Sequence, residues 1–76
     1  MPRKLRTLIA ELRAAGFREL PGRGKGDHAV WAHPLAPMNQ LTIDGQPGDD
    51  AKRYQEKQAR EALAAVRAAE RDAGKD

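Results

Sequence analysis

Gly22-Arg23-Gly24-Lys25-Gly26-Asp27-His28-Ala29-Val30-Trp31-Ala32 decides how this chain folds. Three alternating glycines after Pro21 cannot sustain a helix or a packed strand, so the first half of the stretch reads as a turn. His28 to Ala32, with its Val and Trp, reads as the strand that leaves it. Upstream, Phe17 to Leu20 is long enough only for a brief strand entering the same turn. Downstream, Pro34 and Pro37 close the second strand and open a loop through Met38 and Asn39. Gln40-Leu41-Thr42-Ile43-Asp44 then alternates polar and apolar, which predicts a third strand with one wet face. The centre of the chain is therefore a small antiparallel sheet.

Helical patterns flank it. Leu5, Leu8, Ile9 and Leu12 fall at i, i+3, i+4 and i+7, and Gly16 stands where a C-terminal cap is expected. Beyond the third strand, Gly45, Pro47 and Gly48 form a turn, and Asp49 or Asp50 is the expected N-cap of a second helix over residues 51 to about 70. On that helix Gln55, Ala59, Ala62, Leu63, Val66 and Ala69 share one side, while Arg53, Lys57, Arg60, Arg67 and Arg71 gather opposite. The ordinary reading of that basic stripe is a solvated face diluted by pairs such as Glu56 with Arg60. Residues 72–76 read as a frayed tail. Helix, three strands, helix describes an α+β domain, residues 1–76 with a core over about 5–70, in which two helices cover one face of a three-stranded antiparallel sheet and the other face stays open.

Composition narrows what such a domain does. Seventy-six residues bury a thin core, so activity belongs on the surface rather than in an internal pocket. Residues 1–26 carry seven Lys and Arg against Glu11 and Glu19, whereas the remainder carries seven against nine acidic residues. A basic half on a small domain points to phosphate backbones or an acidic protein partner. The chain has no cysteine, which excludes a disulfide scaffold and a thiolate metal site, and no apolar run of membrane-spanning length. The expectation is a soluble cytoplasmic protein without a membrane partner.

His28 is the one side chain with an obvious route to proton transfer near neutral pH, in a chain that also lacks serine. Gly24 and Gly26 let the backbone approach a bulky ligand, and Arg23 and Lys25 make that ligand anionic by preference, with Arg18 a further candidate for phosphate. His33, before Pro34, reads as strand termination. Two histidines five residues apart on a strand stand about 16 Å apart, which argues against a shared metal. Trp31 either stacks on a base or packs against a helix; with only three aromatics in the chain, the core has the stronger claim on it. Tyr54 shares the ambiguity, at the first turn of the second helix.

Gly16-Phe17, Gly26-Asp27-His28 and His33-Pro34, together with Asp44-Gly45-Gln46-Pro47-Gly48-Asp49-Asp50-Ala51-Lys52-Arg53-Tyr54-Gln55, resemble in order and spacing the HicA toxins of bacterial toxin–antitoxin pairs. The resemblance covers roughly residues 5 to 66, with boundaries loose by a few residues. It implies a double-stranded-RNA-binding-domain-like α-β-β-β-α fold, endoribonuclease cleavage of messenger RNA without a cofactor or metal, and a HicB-like antitoxin that covers the active surface. It assigns the catalytic role to His28. Free of the antitoxin, the chain is expected to be a monomer. The family usually has serine before that histidine; here Asp27 stands instead. A charge at that point either pairs with Arg23 or Lys25 and modulates His28, or caps a turn.

RNA brings its own nucleophile, the 2′-hydroxyl, so a small domain has only to orient the backbone, move a proton and stabilise charge on phosphate. His28 fits as general base or general acid. A non-catalytic RNA-binding module and a protein-interaction domain using the same basic surface remain as alternatives.

Overall fold

A computed structural model describes residues 3–21 and 28–74. The elements run α1 (Leu5–Ala14), β1 (Arg18–Glu19), β2 (His28–Ala32), β3 (Leu41–Asp44) and α2 (Arg53–Ala73), the expected α-β-β-β-α order. The strands form one antiparallel sheet with β2 in the middle. In register, Arg18 faces Ala32 and Glu19 faces Trp31, while His28, Ala29, Val30 and Trp31 face Asp44, Ile43, Thr42 and Leu41.

Alternation along the strands divides the sheet into two faces. Ala29, Trp31, Leu41 and Ile43 turn toward the helices, where they meet Leu5, Leu8 and Leu12 of α1 and Ala59, Ala62 and Val66 of α2. His28, Val30, Ala32, Thr42 and Asp44 occupy the uncovered face. Trp31 is therefore a core residue packed under α1, with the Arg13 guanidinium 5.3 Å from its ring centroid.

Helix α1 ends in a Schellman motif. Gly16 takes φ +100°, its N–H reaches the Arg13 carbonyl at 3.0 Å, and the Phe17 N–H reaches the Leu12 carbonyl at 2.9 Å. Phe17 and Leu12 are both buried, the apolar contact that accompanies this cap. The motif also explains why β1 is shorter than the Phe17–Leu20 strand expected: the Phe17 N–H is committed to the helix, and Pro21 has none to give. Leu20 still donates to the Val30 carbonyl at 2.8 Å.

The start of α1 carries no side-chain cap. Its orphan N–H groups are met by a distant loop: Leu5 donates to the Asp49 carbonyl at 2.8 Å and Arg6 to the Pro47 carbonyl at 3.0 Å, while Ala51 donates back to Arg3 at 2.7 Å. This loop overturns the expected N-cap of α2. Asp49 uses its carboxylate on the Gln46 N–H at 2.9 Å, and Asp50 pairs with Lys4 at 2.8 Å, so neither is free to cap. The helix begins later, at Arg53, where the buried Gln55 turns back and its Oε1 accepts the Lys52 N–H at 2.8 Å. At the far end α2 continues through Ala73, so Asp72 and Ala73, expected to fray, are helical.

His33 follows β2 and is buried. Its Nδ1 accepts the Leu35 N–H at 3.0 Å, its Nε2 lies 3.0 Å from the Ala15 carbonyl, and its ring meets Phe17 edge-on at 5.2 Å. It is a structural histidine that joins the β2–β3 loop to the end of α1.

Candidate active site

His28 opens β2 at one end of the uncovered face, where its side chain is 57% exposed. The antiparallel register sets Asp44, the last residue of β3, directly opposite. The His28 Nδ1 and the Asp44 Oδ1 are hydrogen-bonded. With Nδ1 engaged by the carboxylate, Nε2 is the ring nitrogen left for solvent or a ligand.

Asp44 is itself held from several sides. Its backbone pairs with β2, and its carbonyl accepts the Gln55 Nε2 hydrogen at 3.0 Å. The Tyr54 hydroxyl lies 3.4 Å from the second carboxylate oxygen, long for an O–H···O bond. Gln55 has no exposed surface, so the first turn of α2 and the end of β3 are joined through one buried amide. Tyr54 remains 45% exposed, which puts it at the site rather than in the core.

Arg23, Gly24, Lys25, Gly26 and Asp27, the expected phosphate-binding turn and modulating aspartate, lie outside the described residues. They immediately precede His28 in sequence. Arg18 is exposed on β1 and shares the uncovered face with His28 through its pairing with Ala32. Ala32 lies four residue steps beyond His28, about 13 Å along β2. The structure thus joins His28 to Asp44 and Tyr54, and sets Arg18 apart along the same face.

Sequence reasoning missed Asp44 and Gln55 as site residues and left Tyr54 between base stacking and the core. The alternation of Gln40 to Asp44 did put Thr42 and Asp44 on a polar face, but pairing that face with His28 requires the register across the loop from His33 to Gln40. Two successive turns shape that loop, closed by Ala36 N–H to the His33 carbonyl at 3.1 Å and Asn39 N–H to the Ala36 carbonyl at 3.0 Å. No short hairpin signature announces them.

Part of the basic N-terminal half is spent internally. The Arg3 guanidinium bonds both Glu11 and Glu56, with Nε 3.0 Å from Glu56 Oε1, and Lys4 is paired with Asp50. Hydrogen bonding to Arg3 holds the Glu56 carboxyl below its ordinary range despite partial burial, and the same bond raises Arg3. Arg3, Glu11 and Glu56 line, with Arg60, Leu63 and Arg67, a groove of about 400 Å³ between the helices. Among the described residues no three His, Cys, Asp or Glu side chains gather as metal ligands, and no helix is long and apolar enough to cross a membrane.

The HicA toxin of bacterial toxin–antitoxin pairs is the family whose model matches this chain, over residues 5–73. No curated protein and no solved structure gives a significant match. The match spans both helices and all three strands, including His28 and Asp44, and the chain therefore belongs to the HicA family of toxins.

Proposed function

We propose that this toxin is an endoribonuclease that cleaves messenger RNA in the cytoplasm, with His28 as its proton-transfer residue, and that a HicB-like antitoxin neutralises it by covering the open sheet face. The observation that carries the reading is the exposed His28 ring, tied at Nδ1 to Asp44 and open at Nε2, on a sheet face that neither helix covers.

RNA lies across that face with its scissile phosphate beside His28. Nε2 takes the proton of the 2′-hydroxyl as that oxygen bonds to the adjacent phosphorus. The bond to the 5′-oxygen breaks, leaving a 2′,3′-cyclic phosphate, and the departing oxygen takes a proton from His28 or from water. Arg23, Lys25 and the backbone N–H groups of Gly24 and Gly26 serve the phosphate, and Arg18 serves the backbone further along. Asp27, beside His28 in sequence, modulates the charge of that turn.

The test combines growth under tightly induced expression with incubation of purified protein and labelled messenger RNA. Wild type arrests growth and cleaves. His28→Ala, folded as judged by circular dichroism, loses about 10²-fold or more of the cleavage rate, the scale of one proton-transfer residue. Binding of RNA without cleavage by wild type would replace the enzyme with a binding module, and neither binding nor cleavage would leave the antitoxin as the sole target of the basic surface.

A further inference from the structure

We infer that Asp44 is a positioning residue for His28. Its carboxylate fixes the neutral imidazole as the Nδ1–H tautomer and turns the lone pair of Nε2 toward the open face. The consequence for catalysis rests on the ribonuclease reading, whereas the tautomer rests on geometry alone.

An ionised carboxylate only accepts hydrogen bonds, so the hydrogen bond between Asp44 Oδ1 and His28 Nδ1 requires the hydrogen on Nδ1. In a neutral ring the lone pair then resides on Nε2, the nitrogen a base must use. Three neighbours keep the carboxylate where it can do this. The β2–β3 register places it opposite His28, Gln55 holds its backbone carbonyl, and Tyr54 stands beside its second oxygen. When Nε2 takes a proton, the imidazolium that forms already has a carboxylate as its neighbour.

The other histidine carries the opposite arrangement. His33 Nδ1 accepts a backbone N–H from Leu35, so its hydrogen sits on Nε2 and is donated to the Ala15 carbonyl. The chain has two histidines, one fixed in each tautomer by a different partner.

Long-range proton–nitrogen correlation of the nitrogen-15-labelled full chain at pH about 8, above the ordinary imidazole range near 6.5, reads both rings directly. Wild type is expected to show His28 as Nδ1–H and His33 as Nε2–H. In Asp44→Ala the His28 signals move to the averaged positions of an unbonded ring while those of His33 stay, which also reports that the fold is intact. Cleavage by that variant falls about 10- to 100-fold in kcat with KM little changed, the scale on which outer partners that orient a histidine act. In Asp44→Asn the amide NH2 can donate to Nδ1, so the Nδ1–H form is no longer enforced, the His28 signals shift and the rate falls; this variant serves if Asp44→Ala does not fold, and unchanged signals in it would overturn the inference.

An Nε2–H His28 in wild type would overturn the inference. So would a His28 spectrum unchanged in Asp44→Ala, or full-rate cleavage by that variant, which would leave the ribonuclease reading standing. Wild type with the expected tautomers and no cleavage would confirm the positioning geometry and sink the ribonuclease reading instead.

Discussion

Replacing the Gln55 amide by a carboxyl group, Gln55→Glu, changes one heavy atom at the joint between α2 and the site, and its effect reverses with pH. Gln55 has no exposed surface; Oε1 accepts from Lys52 at 2.8 Å and Nε2 donates to the Asp44 carbonyl at 3.0 Å. An ionised Glu keeps the first bond and turns the second into a carboxylate facing a carbonyl oxygen. It also buries a charge with no cation against it, which costs about 3–5 kcal/mol. A domain of this length is stable by roughly 4–11 kcal/mol, so at pH 7 the variant loses a large share of its stability. A protonated Glu behaves differently, because its O–H can donate to the Asp44 carbonyl and recover both bonds. The substituted carboxyl therefore has a folded-state pKa above its unfolded value near 4.3, so the native-like form persists below that value and is lost as pH rises through the folded pKa. Thermal melts of wild type and variant at matched pH measure the difference directly. At pH 7 the variant melts about 12 °C or more below wild type, from roughly 4 °C per kcal/mol, and at pH 4 the gap closes to a few degrees. A gap of equal size at both pH values would refute the idea that this amide donates to Asp44 from a buried position.

Gly16→Ala puts a side chain at φ +100°, with its Cβ 2.8 Å from His33 Nε2. Backbone strain of about 1–2 kcal/mol and the loss of a buried histidine bond worth about 1 kcal/mol together predict a melting drop of roughly 8 °C or more in a calorimetric scan. Glu56→Gln removes the carboxylate that Arg3 holds below its ordinary range. Because that pair is partly solvated, with side chains 38% and 27% exposed, the substitution costs at most about 1 kcal/mol. The contribution is complete above the ordinary Glu value and disappears as pH falls through the lowered one, so urea midpoints of wild type and variant differ at pH 7 and converge in acid.

The elements that local chemistry dictates were legible in the sequence. β2 begins and ends where the glycine turn and His33-Pro34 say it should, and Gly16 ends α1 because only a residue tolerant of positive φ completes the Schellman geometry. The α2 buried face, Gln55 included, follows from helical period alone. What escaped depends on partners distant in sequence. Asp50 looked like a helix cap because nothing local shows that Lys4 claims it, whereas Asp49 is spent within its own turn on Gln46, three residues away. Asp44 looked like the polar end of a strand, and its role appears only when a register set across two loop turns lays it against His28. Tyr54 and Gln55 follow from Asp44, since each matters to the site through that one residue.

The first turn of α1 has a consequence for the order in which this toxin takes shape. Its N–H groups are satisfied by carbonyls of Pro47 and Asp49, on the far side of the whole sheet in chain order. As the chain leaves the ribosome, α1 emerges first, yet a ten-residue helix is marginal on its own in water and has no partner for its exposed end until the third strand and the following loop have been made. The same loop delivers Asp44 at its start and Gln55 just after its end. The segment that completes the first helix is thus flanked by Asp44, the hydrogen-bond partner of His28, and the open sheet face takes its final form at the step that closes the fold.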